Sequence, residues 1–262
     1  MACYLGIDIG SSTSKGVISR DGETVSRYLL PSGVDYRLAV QKLIDELLTR
    51  AGAVREDITC TVATGQGSAN VELADQQVAD IRCCARGIYS IFPSVRTVID
   101  VQGQATQVLR LNAEGQVANF AVSEKCASGS GRFLDIIANV LQIKLEEVGP
   151  LSLKSSNPIT FTTGCAVFGE SEAVSRVSEG IAREDILAGV HQALAEKISA
   201  LVGKIGMEEH CAITGGGALN IGLISWVEKK LGIELLVPSE PQLVTALGAA
   251  IMAEDACKGI SH

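Results

Sequence analysis

Short apolar runs alternate along this chain with polar loops that carry glycine, and the spacing predicts strands before it predicts anything else. Tyr4-Leu5-Gly6-Ile7-Asp8-Ile9-Gly10 is apolar except for its acid, the pattern of a strand covered on both faces, and polar Ser11 to Ser14 follow. Lys15 to Arg20 and Glu23 to Leu30 read as two more strands, joined by the hairpin dipeptide Asp21-Gly22. Further on, Arg96 to Val101 is again a strand carrying an acid near its end, Asp100, with Gly103 and Gln104 beyond it. Thr106 to Leu111, a turn at Glu114-Gly115, and Gln116 to Val122 complete the same order. Strand, acidic loop, strand, hairpin, strand therefore occurs twice.

Each copy continues with mixed elements. Leu38 to Leu48 reads as a helix and Ile58 to Ala63 as a strand in the first. In the second, Phe133, Leu134, Ile137, Val140 and Leu141 form a stripe at helical spacing over 131–141, and Val167, Val174 and Val177 repeat weakly. Cys211 to Thr214 is a short strand running into Gly215-Gly216-Gly217, then a helix through Trp226 and Lys229, then a strand-like Ile233 to Val237. Pro241 sits near a last helix start, with Leu243, Val244, Leu247, Ala250 and Ile251 as its apolar face. The predicted class is α/β with internal duplication. Its two lobes cover 1–95, completed by the helix at about 241–262, and 96–240, with both acids directed at a shared cleft.

Composition narrows the function. With 47% hydrophobic and 20% charged residues among 262, the chain can bury a large core and is not disordered. A net charge of -8 excludes nucleic acid as the main partner, because phosphate backbones call for clustered Lys and Arg. The longest apolar runs, such as Leu243 to Met252, are too short to cross a bilayer, and Met1-Ala2-Cys3-Tyr4 leads straight into a strand rather than a signal peptide. Eight cysteines without Cys-x-x-Cys or zinc spacing read as reduced thiols in a cytoplasmic protein. Cys3, Cys60, Cys211 and Cys257 read as small buried hydrophobes, and the Cys83-Cys84 pair as packing.

Several loops offer what a nucleoside triphosphate needs. Asp8-Ile9-Gly10-Ser11-Ser12-Thr13-Ser14-Lys15 supplies amides, hydroxyls, one carboxylate and one ammonium. Asp100-Val101-Gln102-Gly103-Gln104 supplies a second carboxylate and, in Gln104, an amide able to orient water. Thr214-Gly215-Gly216-Gly217-Ala218-Leu219-Asn220 lets a helix start approach a ligand closely, and Thr64-Gly65-Gln66-Gly67 is a further candidate. Asp8 and Asp100 suit Mg²⁺ held through water, an ion that dehydrates reluctantly. No Walker A run is present, and the Gly-Gly-Gly run lacks dinucleotide spacing.

These loops resemble the phosphate and adenosine motifs of the actin-like ATPase superfamily, which shares the ribonuclease H-like fold. Within it, Cys126-Ala127-x-Gly129-x-Gly131-Arg132-Phe133-Leu134 and Cys165-x-Val167-Phe168-x-Glu170-Ser171-Glu172, with Gly215-Gly216, are similar to activators of 2-hydroxyacyl-CoA dehydratases and benzoyl-CoA reductases. The resemblance covers essentially the whole chain. It implies Asp8, Asp100 and Gln104 as catalytic residues. Gly10, Ser11, Ser12, Thr13, Lys15, Gly103, Gly215, Gly216, Gly217 and Asn220 would bind the nucleotide. Cys126 and Cys165 would ligate a 4Fe-4S cluster. Two thiols fall short of the four a cubane takes, so one cluster per homodimer, bridging two chains, is expected. A ferredoxin or flavodoxin would donate the electron and an iron-sulfur protein would accept it. Against the Asp-Ile-Gly-Gly-Gln-Asp usual in these activators, Gln102 replaces a glycine and Ala105 replaces an acid. Two alternatives stay open: a sugar kinase of the same superfamily, which leaves Cys126 and Cys165 unexplained, and a nucleotide-binding module that does not hydrolyse.

Overall fold

The first apolar run is β1 (Cys3–Ile9), and every residue in it is buried. A computed structural model of the chain describes residues 2–123, 130–161 and 166–260. It divides into one unit of residues 1–96, 111–118 and 238–262 and another of residues 97–110 and 119–237.

In the first unit, β1 lies between antiparallel β2 (Thr13–Arg20) and parallel β4 (Ile58–Thr64), with β3 (Glu23–Pro31) and the short β5 (Gln76–Gln77) at the edges. Asp21 and Gly22 both adopt positive φ, 53° and 82°, the turn whose twist matches a tight hairpin. Helix α1 (Tyr36–Ala51) connects β3 to β4. Asp35 caps its start by accepting from the Arg37 and Leu38 amides, and Gly52 ends it in the left-handed region. Its Val40, Leu43, Ile44 and Leu47 pack with Leu5, Ile7 and Ile9 of β1.

Helices α2 (Asp80–Ile91) and α8 (Val244–Cys257) cover the other side and approach closely enough to exclude side chains. A Cβ on Gly248 would overlap the Cys83 carbonyl oxygen, and one on Gly87 would overlap that of Val244. The face of α8 that packs is accordingly made of small residues, Ala246, Gly248, Ala249, Ala250 and Ala253, whereas the expected Leu247 and Ile251 are only half-buried.

In the second unit the sheet order is β8 (Val117–Val122), β7 (Thr106–Leu111), β6 (Thr97–Val101), β9 (Cys211–Thr214), with β6 antiparallel to β7 and parallel to β9. Helices α3 (Gly131–Leu141), α4 (Leu145–Ser152), α5 (Ala166–Ser178), α6 (Arg183–Ile205) and α7 (Ile221–Leu231) accompany it. Ile99, Phe133, Ile137, Leu187, Leu194, Ile213 and Leu223 belong to one core.

Three sequence expectations need correction. Residues 233–237 form a single bridge, Leu236 to Ala212, because the Leu235 amide is taken by Glu228 Oε1 and Pro238 follows. Val174 and Val177 of α5 face outward, as does Phe168, and it is Ala173 of this helix that is buried in the core. Cys3, Cys60, Cys83, Cys84 and Cys211 are buried as expected, but Cys257 at the end of α8 is exposed. Burial pushes the thiols of Cys60, Cys83 and Cys211 up to about 12.

One buried polar pair is also present. His191 Nδ1 lies 2.9 Å from Ser152 Oγ, and its Nε2 has no hydrogen-bond partner among the described residues. Burial pushes this imidazole down to about 3, so it is neutral.

Candidate functional site

Antiparallel pairing of β1 with β2 sets Asp8 opposite Lys15. Lys15 Nζ donates to Asp8 Oδ2 at 2.9 Å, and the Asp8 side chain is 10% exposed. Burial raises the Asp8 carboxyl above its ordinary range, and the ammonium opposes that shift. Between them the chain turns through Gly10 to Thr13, with the Gly10 amide donating to the Thr13 carbonyl at 3.1 Å. Ser32, just beyond β3, holds this turn from behind: its Oγ donates to the Gly10 carbonyl at 2.7 Å, and its amide donates to the Ser12 carbonyl at 3.0 Å. Ser12 is exposed and Ser11 half-buried at the tip, where their amides and hydroxyls can meet phosphate.

β4 runs parallel to β1 with Thr64 beside Asp8, then turns at Gly65, φ 85°. A Cβ there would overlap Asp8 Oδ1 and the Ile9 carbonyl, so glycine is required by conformation and by space together. Gly67 donates its amide to the Ile9 carbonyl at 2.9 Å, and its Cα sits against the Ile9 side chain.

The second unit repeats this construction residue for residue. Asp100 stands opposite Gln107 on β7 and beside Thr214 on β9. The Gln102 amide donates to the Ala105 carbonyl at 2.9 Å, as Gly10 does to Thr13. Gly215, φ 79°, packs on Asp100 Oδ1 and the Val101 carbonyl, and Gly217 packs on the Val101 side chain. Gly10 thus corresponds to Gln102, Thr13 to Ala105, Lys15 to Gln107, and the Thr64–Gly67 loop to Thr214–Gly217.

The difference lies in what meets the acid. Asp100 Oδ2 accepts from two neutral amides, Gln107 Nε2 at 2.9 Å and Gln102 Nε2 at 2.8 Å. Gln107 is 3% exposed, whereas Gln102 is half-buried on the loop.

The Gln102–Gly103 loop also seats a helix. The Gln102 carbonyl accepts from the Gly131 amide at 2.9 Å, and the Gly103 carbonyl accepts from the Arg132 amide at 3.2 Å and from Ser130 Oγ at 3.0 Å. Ser130, the N-cap of α3, makes no side-chain cap bond to its own helix. Its hydroxyl fastens the loop instead.

Of the remaining expected residues, Gln104 is exposed at the tip of its loop, and Gly103 is half-buried behind it. Gly216 is exposed and Gly217 buried in a short 3-10 turn over 216–219. Asn220 Oδ1 accepts from the Leu223 amide at 3.0 Å, so its side chain caps α7. Cys126 and Cys165 lie outside the described residues.

Among the described residues no group of three His, Cys, Asp or Glu converges as a metal site. Asp8 and Asp100 each offer, within their own unit, hard oxygen donors of the kind that suit magnesium held through its waters. Gln107, Ser32 and Ser130 were not singled out from sequence, and Gly65 only as part of the Thr64–Gly67 loop. A signal for Gln107 existed: the spacing from Asp8 to Lys15 equals that from Asp100 to Gln107.

Known proteins share this organisation. The chain is 39% identical over 254 residues to the 2-hydroxyisocaproyl-CoA dehydratase activator of Clostridioides difficile, covering 97% of this chain and 96% of that one. The crystal structure of Acidaminococcus fermentans (R)-2-hydroxyglutaryl-CoA dehydratase component A is 37% identical and matches with a TM-score of 0.94, over 98% of this chain and 100% of that one. The activator of the 2-hydroxyisocaproyl-CoA dehydratase from Clostridium difficile with bound ADPNP, 37% identical, matches with a TM-score of 0.92 over 99% and 98%. A ROK family glucokinase from Streptomyces griseus shares the actin-like fold at 14% identity, TM-score 0.61, over 97% and 99% of the two chains. The family model described as BadF/BadG/BcrA/BcrD ATPase matches residues 5–253, and the chain belongs to that ATPase family.

Proposed function

We propose that this chain is an ATP-dependent activator that delivers a low-potential electron to a partner iron-sulfur enzyme. The observation that carries the reading is the duplicated acid-and-glycine loop, found in a chain aligned over 97% of its length with a protein named as a dehydratase activator. In this reading Asp8 and Asp100 hold Mg²⁺ through water. Ser11, Ser12, Thr13 and Lys15 meet the phosphates, with Gly10 at the turn that presents them. Gly103 and Gln104 meet the γ-phosphate and the attacking water, and Gly215, Gly216, Gly217 and Asn220 line the rest of the nucleotide. Magnesium, when bound, offsets charge on the phosphate oxygens during hydrolysis.

Cys126 and Cys165 from each of two chains would ligate one 4Fe-4S cluster, which supplies one-electron transfer. Exposed Phe168, Val174 and Val177 on α5 offer apolar surface that a second copy of the chain can cover, which supports the dimer. Gln102 and Gly103 present their carbonyls to the first turn of α3, so a shift of this loop on nucleotide binding is passed to the helix that follows Cys126. A ferredoxin or flavodoxin would supply the electron. The acceptor would be an enzyme of the 2-hydroxyacyl-CoA dehydratase, benzoyl-CoA reductase or double-cubane class. The setting would be cytoplasmic; no helix among the described residues is long and apolar enough to cross a membrane.

Anaerobic purification with iron and sulfide analysis tests this. About four irons per dimer are expected, lost in Cys126→Ser and in Cys165→Ser. A colourless protein that phosphorylates a sugar would overturn the proposal.

A further inference from the structure

The two acid loops superimpose in backbone pairing and in glycine packing, yet one carries a side chain where the other has none. Gly10 leaves the space beside Asp8 to Lys15; Gln102 fills the corresponding space and reaches back to Asp100. A carboxylate oxygen has two lone-pair sites. Both sites of Asp100 Oδ2 are occupied, one by Gln107 and one by Gln102. A water of hydrated Mg²⁺ that donates to this oxygen must therefore displace one of the two amides.

Gln107 is buried within β7, whereas Gln102 is half-buried on the loop. Of the two amides, the one on the loop, that of Gln102, can give way without disturbing a strand. Its backbone stays fixed on both sides, through its amide on the Ala105 carbonyl and its carbonyl on the Gly131 amide. Resting on the reading that Mg²⁺ and nucleotide engage this loop, we infer that Gln102 is a built-in competitor for the Asp100 carboxylate. It raises the Mg²⁺ concentration at which nucleotide is captured and so sets a threshold at this loop. In Gln102→Gly a water takes the place of the amide, and water is what hydrated Mg²⁺ itself presents to the carboxylate.

The test is a Mg²⁺ titration of a fluorescent ATP analogue bound to the full chain, wild type against Gln102→Gly and Gln102→Ala. The Ala variant guards against any loosening of the loop by an added glycine. Half-saturating Mg²⁺ is expected to fall about tenfold in both variants, the equivalent of one hydrogen bond to a charged group no longer displaced. Circular dichroism melts report whether each variant is folded. Mg²⁺-dependent binding that is unchanged or weaker in both folded variants overturns the inference and leaves the proposed function standing. Nucleotide binding by wild type with no Mg²⁺ dependence overturns the reading of the loop itself, and the inference with it.

Discussion

Asp8 and Asp100 occupy corresponding positions in two copies of one construction, and their surroundings differ in charge. Asp8 receives an ammonium; Asp100 receives two amides. Backbone pairing and left-handed glycines fix where the carboxylates sit, so that placement is common to both copies. What each carboxylate can do is decided by two side chains, one opposite it in the register and one in the loop. Duplication thus supplies a pair of equally rigid supports, and substitution at Gly10/Gln102 and Lys15/Gln107 makes one an ion pair and the other an amide-bound anion.

The strongest test of that equivalence is Gly65→Ala against Gly215→Ala. Each puts a Cβ at positive φ and onto a carboxylate oxygen, so each is expected to lower the unfolding free energy by about 3 kcal/mol in urea denaturation. Values differing by more than about 2 kcal/mol would break the correspondence.

Replacing each acid by its amide then sharpens the difference. Asp8→Asn leaves the Lys15 ammonium largely buried without its carboxylate and is expected to cost about 2–3 kcal/mol of stability. Asp100→Asn keeps an acceptor for Gln102 and Gln107 and is expected to cost only about 1 kcal/mol. Its ATP hydrolysis, followed by phosphate release, should nevertheless fall about 100-fold or more. Equal stability losses at the two sites would show that Lys15 does not distinguish them.

A pH dependence separates the second unit from the first. His191 is pushed down to about 3 in the folded chain and titrates at about 6.5 when unfolded, so the unfolded state binds more protons between those values. Its contribution is complete above pH 6.5 and is lost as pH falls. From pH 7 to pH 5 the wild type should lose about 2 kcal/mol more than His191→Gln, read from urea midpoints. The smallest expected effects concern two serines beyond the third strands. Ser32→Ala removes the bond to the Gly10 carbonyl and Ser123→Ala the one accepted from the Thr106 amide, each costing about 1 kcal/mol.

Much of this was legible in the sequence. Alternation and turn residues mark the duplicated strands and the Asp21-Gly22 hairpin, and the 131–141 stripe coincides with α3. Helices packed through small residues were harder to read. The buried face of α2 is Cys83, Cys84, Ala85 and Gly87 beside Ile88, mostly small residues that do not stand out as a core face, and α6 is buried on more than one side, so it offers no single stripe. At the site, residue types and loop order were visible, but partners were not. That Gln102 lies on Asp100 depends on a rotamer, and that Ser130 binds Gly103 rather than its own helix depends on how a loop meets a helix start.

The crossing of α2 with α8 at Gly87 and Gly248 bears on the order in which the protein is made. Residues 238–262 belong to the first unit, yet they leave the ribosome after every residue of the second. The sheet begun at Cys3 therefore waits, with the α8 side of β1 uncovered, until translation has passed residue 248. The second unit, whose segments span 97–237, can fold while the first is still incomplete. Synthesis at roughly 5–20 residues per second makes that wait several seconds or more, long enough for a chaperone to occupy the uncovered strand.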